Sequence, residues 1–298
     1  MTVVEGDAET AQELLKQKFD KIFFTGSPRV GRLILEAAAL SLTPVALELG
    51  GKSPCLVSQT ADLASAAKRI MWGKLLNCGQ TCIAPDYVYV HASVENELVY
   101  QLNKAVNDFY GPDIRHNPDY PRIINRRHFD RLSALIDDRK VLWGGGRDPN
   151  DLYIEPTIMV GVDWSDPVMA EEIFGPILPV LSYPSLEAVI DQLKLRDKPL
   201  ALYLFTADSQ EADRVWRECS FGGGCLNDVM SHFINENLPF DGVGTSGLGA
   251  YHGQWGFAEF SHYKSRVDRQ LTPDPPLRYP PYKNKNTAWV RRLIKWFA

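Results

Sequence analysis

An α/β fold is predicted by three features of the sequence. Short apolar runs alternate with helix-like stretches along most of the chain, one such run ends in a glycine turn that opens into a helix, and a second ends in paired glycines. Taken in order, Met1 to Gly6 reads as a short strand and turn, and Ala8 to Lys18 as a helix of about three turns. Lys21-Ile-Phe-Phe24 is an apolar strand. It runs into Thr25-Gly26-Ser27-Pro28-Arg29-Val30-Gly31 and a helix from about Val30 to Leu40. Pro28 suits the first turn of that helix, where its missing N–H costs nothing. In a strand, glycine turn and helix of this kind, backbone N–H groups at the helix start can meet a phosphate; the same glycine also serves turns whose role is geometric only.

The strand Pro44 to Leu49 carries Glu48 near its end and stops at Gly50-Gly51. Pro54 to Val57 is the next strand, Asp62 to Leu76 a helix, and Tyr87 to His91 a strand. Helices are expected over Val94–Tyr110 and Asn125–Asp138, then a strand at Val141–Gly146 closed by glycines, and a strand beginning at Glu155. Ile177–Tyr183, Leu186–Leu195, Ala201–Thr206 and Gln210–Cys219 alternate strand and helix as in a parallel α/β core. Phe221 to Asp228 begins a glycine-rich return. The segment Leu271–Lys285, rich in Pro and Tyr, is expected to lie extended on the surface. No internal repeat is present.

A chain of 298 residues is ample for a packed core, and 45% hydrophobic with 23% charged residues is an ordinary globular composition. A net charge of −5 argues against a nucleic-acid partner, because phosphate binding leans on a basic surface. Five cysteines are an odd count and too sparse for a disulfide scaffold, so a reducing, cytoplasmic compartment is expected. No second Cys or His pair accompanies Cys78-x-x-x-Cys82, which leaves no metal ligand set. Met1 to Asp7 lacks the basic and apolar segments of a secretory signal, and no run of about 18 apolar residues suggests a membrane span.

Chemistry concentrates at Asn77-Cys78-Gly79-Gln80-Thr81-Cys82, a turn between a helix and a strand. A thiol held there, with backbone N–H groups close by, is placed as a nucleophile; the alternative is a small buried apolar side chain. Glu48 on an apolar strand is either an exposed alternate position on an edge or a buried carboxyl whose pKa can rise, as a general base needs. His91, His128, His232, His252 and His262 are scattered and make no Cys-His-Asn triad, which gives a thiol-protease reading little support. Cys78 reads as a packing residue.

Phe24-Thr-Gly-Ser27, Glu48-Leu-Gly-Gly-Lys-Ser-Pro54, Gly79-Gln-Thr-Cys82-Ile-Ala-Pro-Asp86, Glu171-Glu172-Ile-Phe174-Gly-Pro176 and Leu238-Pro-Phe-Asp-Gly-Val-Gly-Thr-Ser-Gly247 follow one another over nearly the whole chain. With Ala250-Tyr-His-Gly253, they resemble the aldehyde dehydrogenase superfamily, in particular its class 3 or fatty-aldehyde branch. The resemblance implies a catalytic domain of that family joined to a partial Rossmann-type cofactor domain, NAD or NADP as cofactor, an aldehyde as substrate and a homodimer. It implies Cys82 as nucleophile and Glu48 as the base that activates water. It places Thr25, Gly26, Ser27, Gly31, Leu49 and Gly50 along the dinucleotide, Glu172 on the nicotinamide ribose hydroxyls and Phe174 beside that ribose. Asn227 and Phe240 are carried over as site-lining or structural. Asp241 departs from the glycine that related sequences commonly have there. The expected aldehydes are fatty, apocarotenoid-like or aromatic.

In the family, further cofactor-domain strands precede the Phe24–Ser27 motif, with an Asn that completes the oxyanion hole and a Lys that meets the adenosine ribose. No counterpart to either residue lies between Met1 and Lys21. The expected organisation is a remnant of the NAD(P)-binding domain over 1–48, a catalytic domain with a return segment for oligomerisation over 49–262, and a Pro/Tyr-rich basic tail over 263–298. Two alternatives follow from that division: a chain with thiol esterase activity only, or a non-catalytic subunit that pairs with longer relatives. In the tail, Trp289, Val290, Leu293, Ile294, Trp296 and Phe297 share a helical face opposite Arg291, Arg292 and Lys295. Such a helix either lies in a membrane interface or docks on the protein itself.

Overall fold

Val3 and Val4 are 80% and 56% exposed, and residues 1–7 form no strand, contrary to the sequence expectation. Flanked by Thr2, Glu5 and Asp7, two valines cannot present a continuous apolar face, and no strand edge pairs with them. Order begins at Asp7, whose carboxylate caps α1 (Ala8–Leu15) by accepting from the N–H groups of Glu9 and Thr10. The computed structural model describes residues 1–274, 278–281 and 284–297, divided into two compact units, Met1–Ser261 and His262–Ala298.

In the first unit, β1 (Ile22–Thr25) leads to α2 (Pro28–Ser41), capped by Ser27, and then to β2 (Val45–Glu48). The two strands pair in parallel, Thr25 opposite Glu48. β3 (Pro54–Val57) is followed by α3 (Leu63–Leu75), whose Asp62 cap accepts from Ser65 N–H at 2.9 Å. β4 (Tyr87–His91), α4 (Glu95–Tyr110) and α5 (Arg126–Leu135) come next. A series of short strands follows: β5 (Val141–Trp143), β6 (Arg147–Asp148), β7 (Tyr153–Ile154) and β8 (Thr157–Met159). The alternation resumes with β9 (Ile177–Tyr183), α6 (Leu186–Lys194), β10 (Ala201–Phe205), α7 (Ser209–Glu218) and β11 (Gly223–Leu226). The unit closes with α8 (Ser231–Ile234), β12 (Phe240–Asp241), β13 (Gly247–Leu248), β14 (Ala250–Tyr251) and α9 (Gly253–Glu259).

A seven-stranded sheet in the order β11-β10-β3-β4-β9-β8-β5 carries the core. It is parallel except at β5, which runs antiparallel to β8, so the expected parallel core is mixed at one edge. Only the β6–β7 hairpin lies between those two strands, too little chain to supply a crossover helix. The glycine-rich stretch expected as a return is itself a strand, β11, parallel to β10. Every residue of β3 and of β10 is buried, as in strands covered on both faces. Cys55, Leu56 and Val57 have no exposure, and each aliphatic side chain so buried contributes about 1.5–3 kcal/mol. A separate sheet, β1-β2-β13, holds Glu48 on its central strand, with β13 antiparallel to β2.

The second unit contains α10 (Asn284–Phe297), over the stretch where the amphipathic helix was expected. Of the segment expected to be extended, residues 275–277 and 282–283 lie outside the described residues.

Candidate active site

β2 delivers Glu48 at its carboxyl end, the position at which ligands meet α/β sheets. The strand is locked there from both sides: Gly26 N–H donates to Glu48 O at 3.0 Å and Leu49 N–H donates to Ser246 O at 3.1 Å. Glu48 is 3% exposed, and its Oε2 has no hydrogen-bond partner among the described residues. Burial, reinforced by the Asp241 carboxylate, pushes its pKa up to about 8.

The thiol is set by a break in helical geometry. After α3, Asn77, Cys78 and Gly79 all take positive φ, at 51°, 57° and 73°. Only glycine fits the third position, because a Cβ there would overlap Gly175 O as well as strain the backbone. Gln80 pins the turn: its Nε2 donates to Asn77 O and Arg122 O, both at 3.1 Å, and its Oε1 accepts from Ile124 N–H at 2.9 Å. Tyr203 Oη donates to Ile83 O at 2.6 Å from the sheet below. Cys82 is half-buried, and the backbone N–H groups of Cys82 and Ile83 lie close enough to its sulfur to favour the thiolate. Burial first, then Glu172 and Glu48, outweigh those donors and push the thiol up to about 11. Glu48 and Glu172 are therefore both near enough to Cys82 to disfavour its thiolate.

Glu172 reaches the site through a buried clamp. Lys52 pairs with Asp86 and donates to Val168 O at 3.1 Å and Glu171 O at 2.9 Å. Asp86 Oδ1 in turn accepts from Ile173 N–H at 2.8 Å, and Arg131 donates to Ile173 O at 2.5 Å and Glu172 O at 3.3 Å. The Glu172 carboxylate rests against Gly50 and accepts from Gly51 N–H. Burial and the Asp86 charge push it up to about 8, against the opposing pull of Gly51 N–H, Lys52 and Arg131. Phe174, next but one, has φ 53° and is 36% exposed.

The remaining residues singled out by sequence fall as follows. Thr25 and Gly26 end β1 beside Glu48; Ser27 Oγ accepts from Val30 N–H at 3.4 Å at the start of α2. Gly31 packs on Leu49, where a Cβ would stand 2.7 Å from Cδ2. Asn227 spends its amide on Thr206, accepting from its N–H and donating to its O, each at 2.9 Å. Phe240 stacks on His252 at 5.5 Å and meets Tyr251 at 5.6 Å; Tyr251 itself faces Glu48 and Cys82. Sequence reasoning did not single out Lys52, Asp86, Gln80, Arg131, Tyr251 or the fully buried Lys74. The one signal for Lys52 and Asp86 was that each stands within a motif already quoted, charged residues beside Gly and Pro.

A cofactor of the expected kind is tested by the cradle. Gly31 and Gly50 leave clear the two places where a Cβ would meet Leu49 and Glu172, and Glu172 offers a half-buried acceptor for hydroxyl groups. This lining fits the hydroxyl groups of a ribose-bearing dinucleotide.

Residues 1–266 match the profile of the aldehyde dehydrogenase family. The chain belongs to that family. It is 48% identical over 298 residues to aldehyde dehydrogenase family 3 member A2 of Mus musculus, covering 99% of this chain and 62% of that one. It is 46% identical over 285 residues to 4,4'-diaponeurosporen-aldehyde dehydrogenase of Staphylococcus aureus, strain NCTC 8325 / PS 47, covering 95% and 62%. It is also 49% identical over 281 residues to the dimeric NADP-preferring aldehyde dehydrogenase of Rattus norvegicus, covering 94% and 62%. The fold is that of the family: a substrate-bound state of Staphylococcus aureus AldH superposes with a TM-score of 0.95 at 44% identity, over 98% of this chain and 64% of that one. The chain thus spans about 62% of the length of these curated aldehyde dehydrogenases.

Proposed function

We propose that the chain oxidises aldehydes to carboxylic acids with NAD+ or NADP+ through a covalent intermediate on Cys82. The observation that carries this reading is the gathering of Glu48, at the carboxyl end of β2, and Glu172, against Gly50, close enough to the half-buried Cys82 for both to raise its thiol. At rest the thiol is protonated, since its pKa lies near 11. An ionised Glu48 takes that proton as the sulfur bonds to the carbonyl carbon, and the N–H groups of Cys82 and Ile83 stabilise negative charge beside it. A bound nicotinamide dinucleotide would supply the hydride acceptor that carries the thiohemiacetal to the thioester. Glu48 first releases that proton to solvent, then removes a proton from water as the water oxygen attacks the thioester carbon; the carbon–sulfur bond breaks, the carboxylic acid leaves, and the proton held by Glu48 returns to the sulfur as the thiol is restored. Glu172 and Gly50 would hold the ribose, and the start of α2 the phosphates.

Long-chain or apocarotenoid-like aldehydes are the proposed substrates, supported by likeness to a protein named for diaponeurosporen-aldehyde. A homodimer is proposed on likeness to a protein named as dimeric. A reducing, cytoplasmic setting is proposed on the free cysteines. Among the described residues no helix is long and apolar enough to cross a membrane. Peripheral contact through α10 is proposed instead, on its basic and tryptophan-bearing faces.

The test is steady-state formation of NADH or NADPH by the purified chain with a long-chain aldehyde, alongside Cys82→Ser. Turnover in the parent and none in the variant supports the reading. Turnover that survives Cys82→Ser overturns it, and ester hydrolysis without any nucleotide-dependent oxidation would assign the site to a thiol esterase. Liposome co-sedimentation with and without residues 287–298 tests the membrane contact; equal binding removes it.

A further inference from the structure

Asn77 and Cys78 hold a left-handed backbone without being glycine, with φ 51° and 57°. A side chain disfavours that conformation, and it persists where neighbouring structure holds it from outside. Among the described residues, every hydrogen bond between a side chain of the turn 77–80 and another segment ends on residues 120–124. The Cys78 thiol donates to Tyr120 Oη at 3.3 Å, and the Gln80 amide spans from Arg122 O to Ile124 N–H. Alternate residues of one stretch thus meet the turn through a hydroxyl, a carbonyl and an N–H.

Residues 121–125 form neither helix nor strand, so their course is set by what grips them. Tyr120 Oη donates to Ile154 O at 2.8 Å, and the buried Ile123 donates its N–H to Leu152 O at 3.1 Å. Arg122 adds three further ties from a single guanidinium. Its Nη1 donates to Tyr120 O at 3.0 Å, and its Nη2 to Arg115 O at 2.6 Å and Asp151 Oδ2 at 3.1 Å. The same group lies 5.1 Å from the centre of the Tyr153 ring. Asp151 is held in turn by Arg115 Nε at 3.2 Å. A guanidinium can serve two carbonyls and a carboxylate at once because its donors form a rigid, permanently charged fork.

We propose that Arg122 is a positioning residue for Cys82. By tying residues 120–124 to Arg115 and Asp151 it holds the left-handed turn at Cys78 and Gln80, and with it the sulfur two residues beyond Gln80. It acts through that turn and not on the reacting atoms. The catalytic meaning rests on the reading of Cys82 as the nucleophile; the hold on the turn does not.

Two other cysteines supply the test. Cys78 and Cys55 both have no exposure, but Cys78 lies on the turn and Cys55 in β3. The 298-residue chain and Arg122→Gln are labelled with iodoacetamide and followed peptide by peptide by mass spectrometry. Labelling of Cys78 is expected to quicken at least about tenfold in the variant, the order of effect of losing hydrogen bonds from a charged group, with Cys55 unchanged. A rise at Cys78 and Cys55 together would give Arg122 a role in stability alone and overturn the proposal, as would parent-like labelling at both. If circular dichroism shows this variant unfolded, Asp151→Asn, which removes the carboxylate that the guanidinium grips, is judged by the same comparison. With a long-chain aldehyde, kcat should fall at least about tenfold while KM for the dinucleotide stays at the parent value. A raised KM with kcat intact counts against positioning of the thiol. Absence of turnover in the parent overturns the proposed function, and the labelling ratio still decides the hold on the turn.

Discussion

A side chain at Gly50 would overlap the carboxylate of Glu172. The glycine is the seat of that acid, and what stands there decides where the acid points. Gly50→Ala is expected to displace Glu172 and weaken dinucleotide binding by at least about tenfold, some 1.4 kcal/mol. Alkylation of Cys82 should change little. Calorimetric titration with NAD+ and NADP+ measures the first and mass spectrometry the second; parent-like affinity would refute the seat.

Lys52 is the only described cation paired with Asp86; the carboxylate is buried and the lysine half-buried. Lys52→Met removes the ion-pair partner of that carboxylate, leaving it the more distant attraction of the buried Lys74, and frees the carbonyls of Val168 and Glu171. The expected loss is about 3–5 kcal/mol in urea unfolding, as for one partner taken from a buried pair. A loss below about 1 kcal/mol would mean that the clamp is not what holds residues 171–173.

Cys82 should react as a protonated thiol. With the thiol near 11, alkylation by iodoacetamide is expected to rise roughly tenfold per pH unit from 7 to 10, without a plateau. Mass spectrometry of the Cys82 peptide follows this directly. A plateau near pH 8 would show that the two N–H groups close to the sulfur outweigh burial and the flanking carboxyls.

Local signals marked most elements to within a few residues, because caps and apolar runs act over a turn or two: Asp62, Ser27 and Asn125 all open their helices. Cys82 and Glu48 stood out for the same reason, each beside glycines that end an element. What the sequence hid depends on contacts between distant segments. Nothing near Val141 says that β5 will run against its neighbour, and nothing near Gly247 says that it will lie beside Glu48. Lys52, Asp86 and Arg131 form one network only after residues 52, 86, 131 and 173 have been brought together.

Glu48 and Glu172 lose their protons near pH 8 in the folded chain, against an ordinary value of 4.5. Between those limits the folded chain binds more protons than the unfolded one, so their contribution to stability is present below about pH 4.5 and is lost as pH rises through 8. Glu172→Gln removes its share of that loss. Its melting temperature should match the parent near pH 5 and exceed it by several degrees at pH 8.5. A difference that is constant across the range, followed by scanning calorimetry, would contradict the raised value.

Asp86 gives the site a common mount. It lies four residues beyond Cys82, grips the lysine that follows the paired glycines, and holds the N–H next to Glu172. The mount of the Glu172 carboxyl and the mount of the Cys82 sulfur are two arms of one bracket. A disturbance that tilts one arm tilts the other, so misaligned cofactor and misaligned thiol are inherited together, and the chain cannot adjust its grip on one without re-aiming the other.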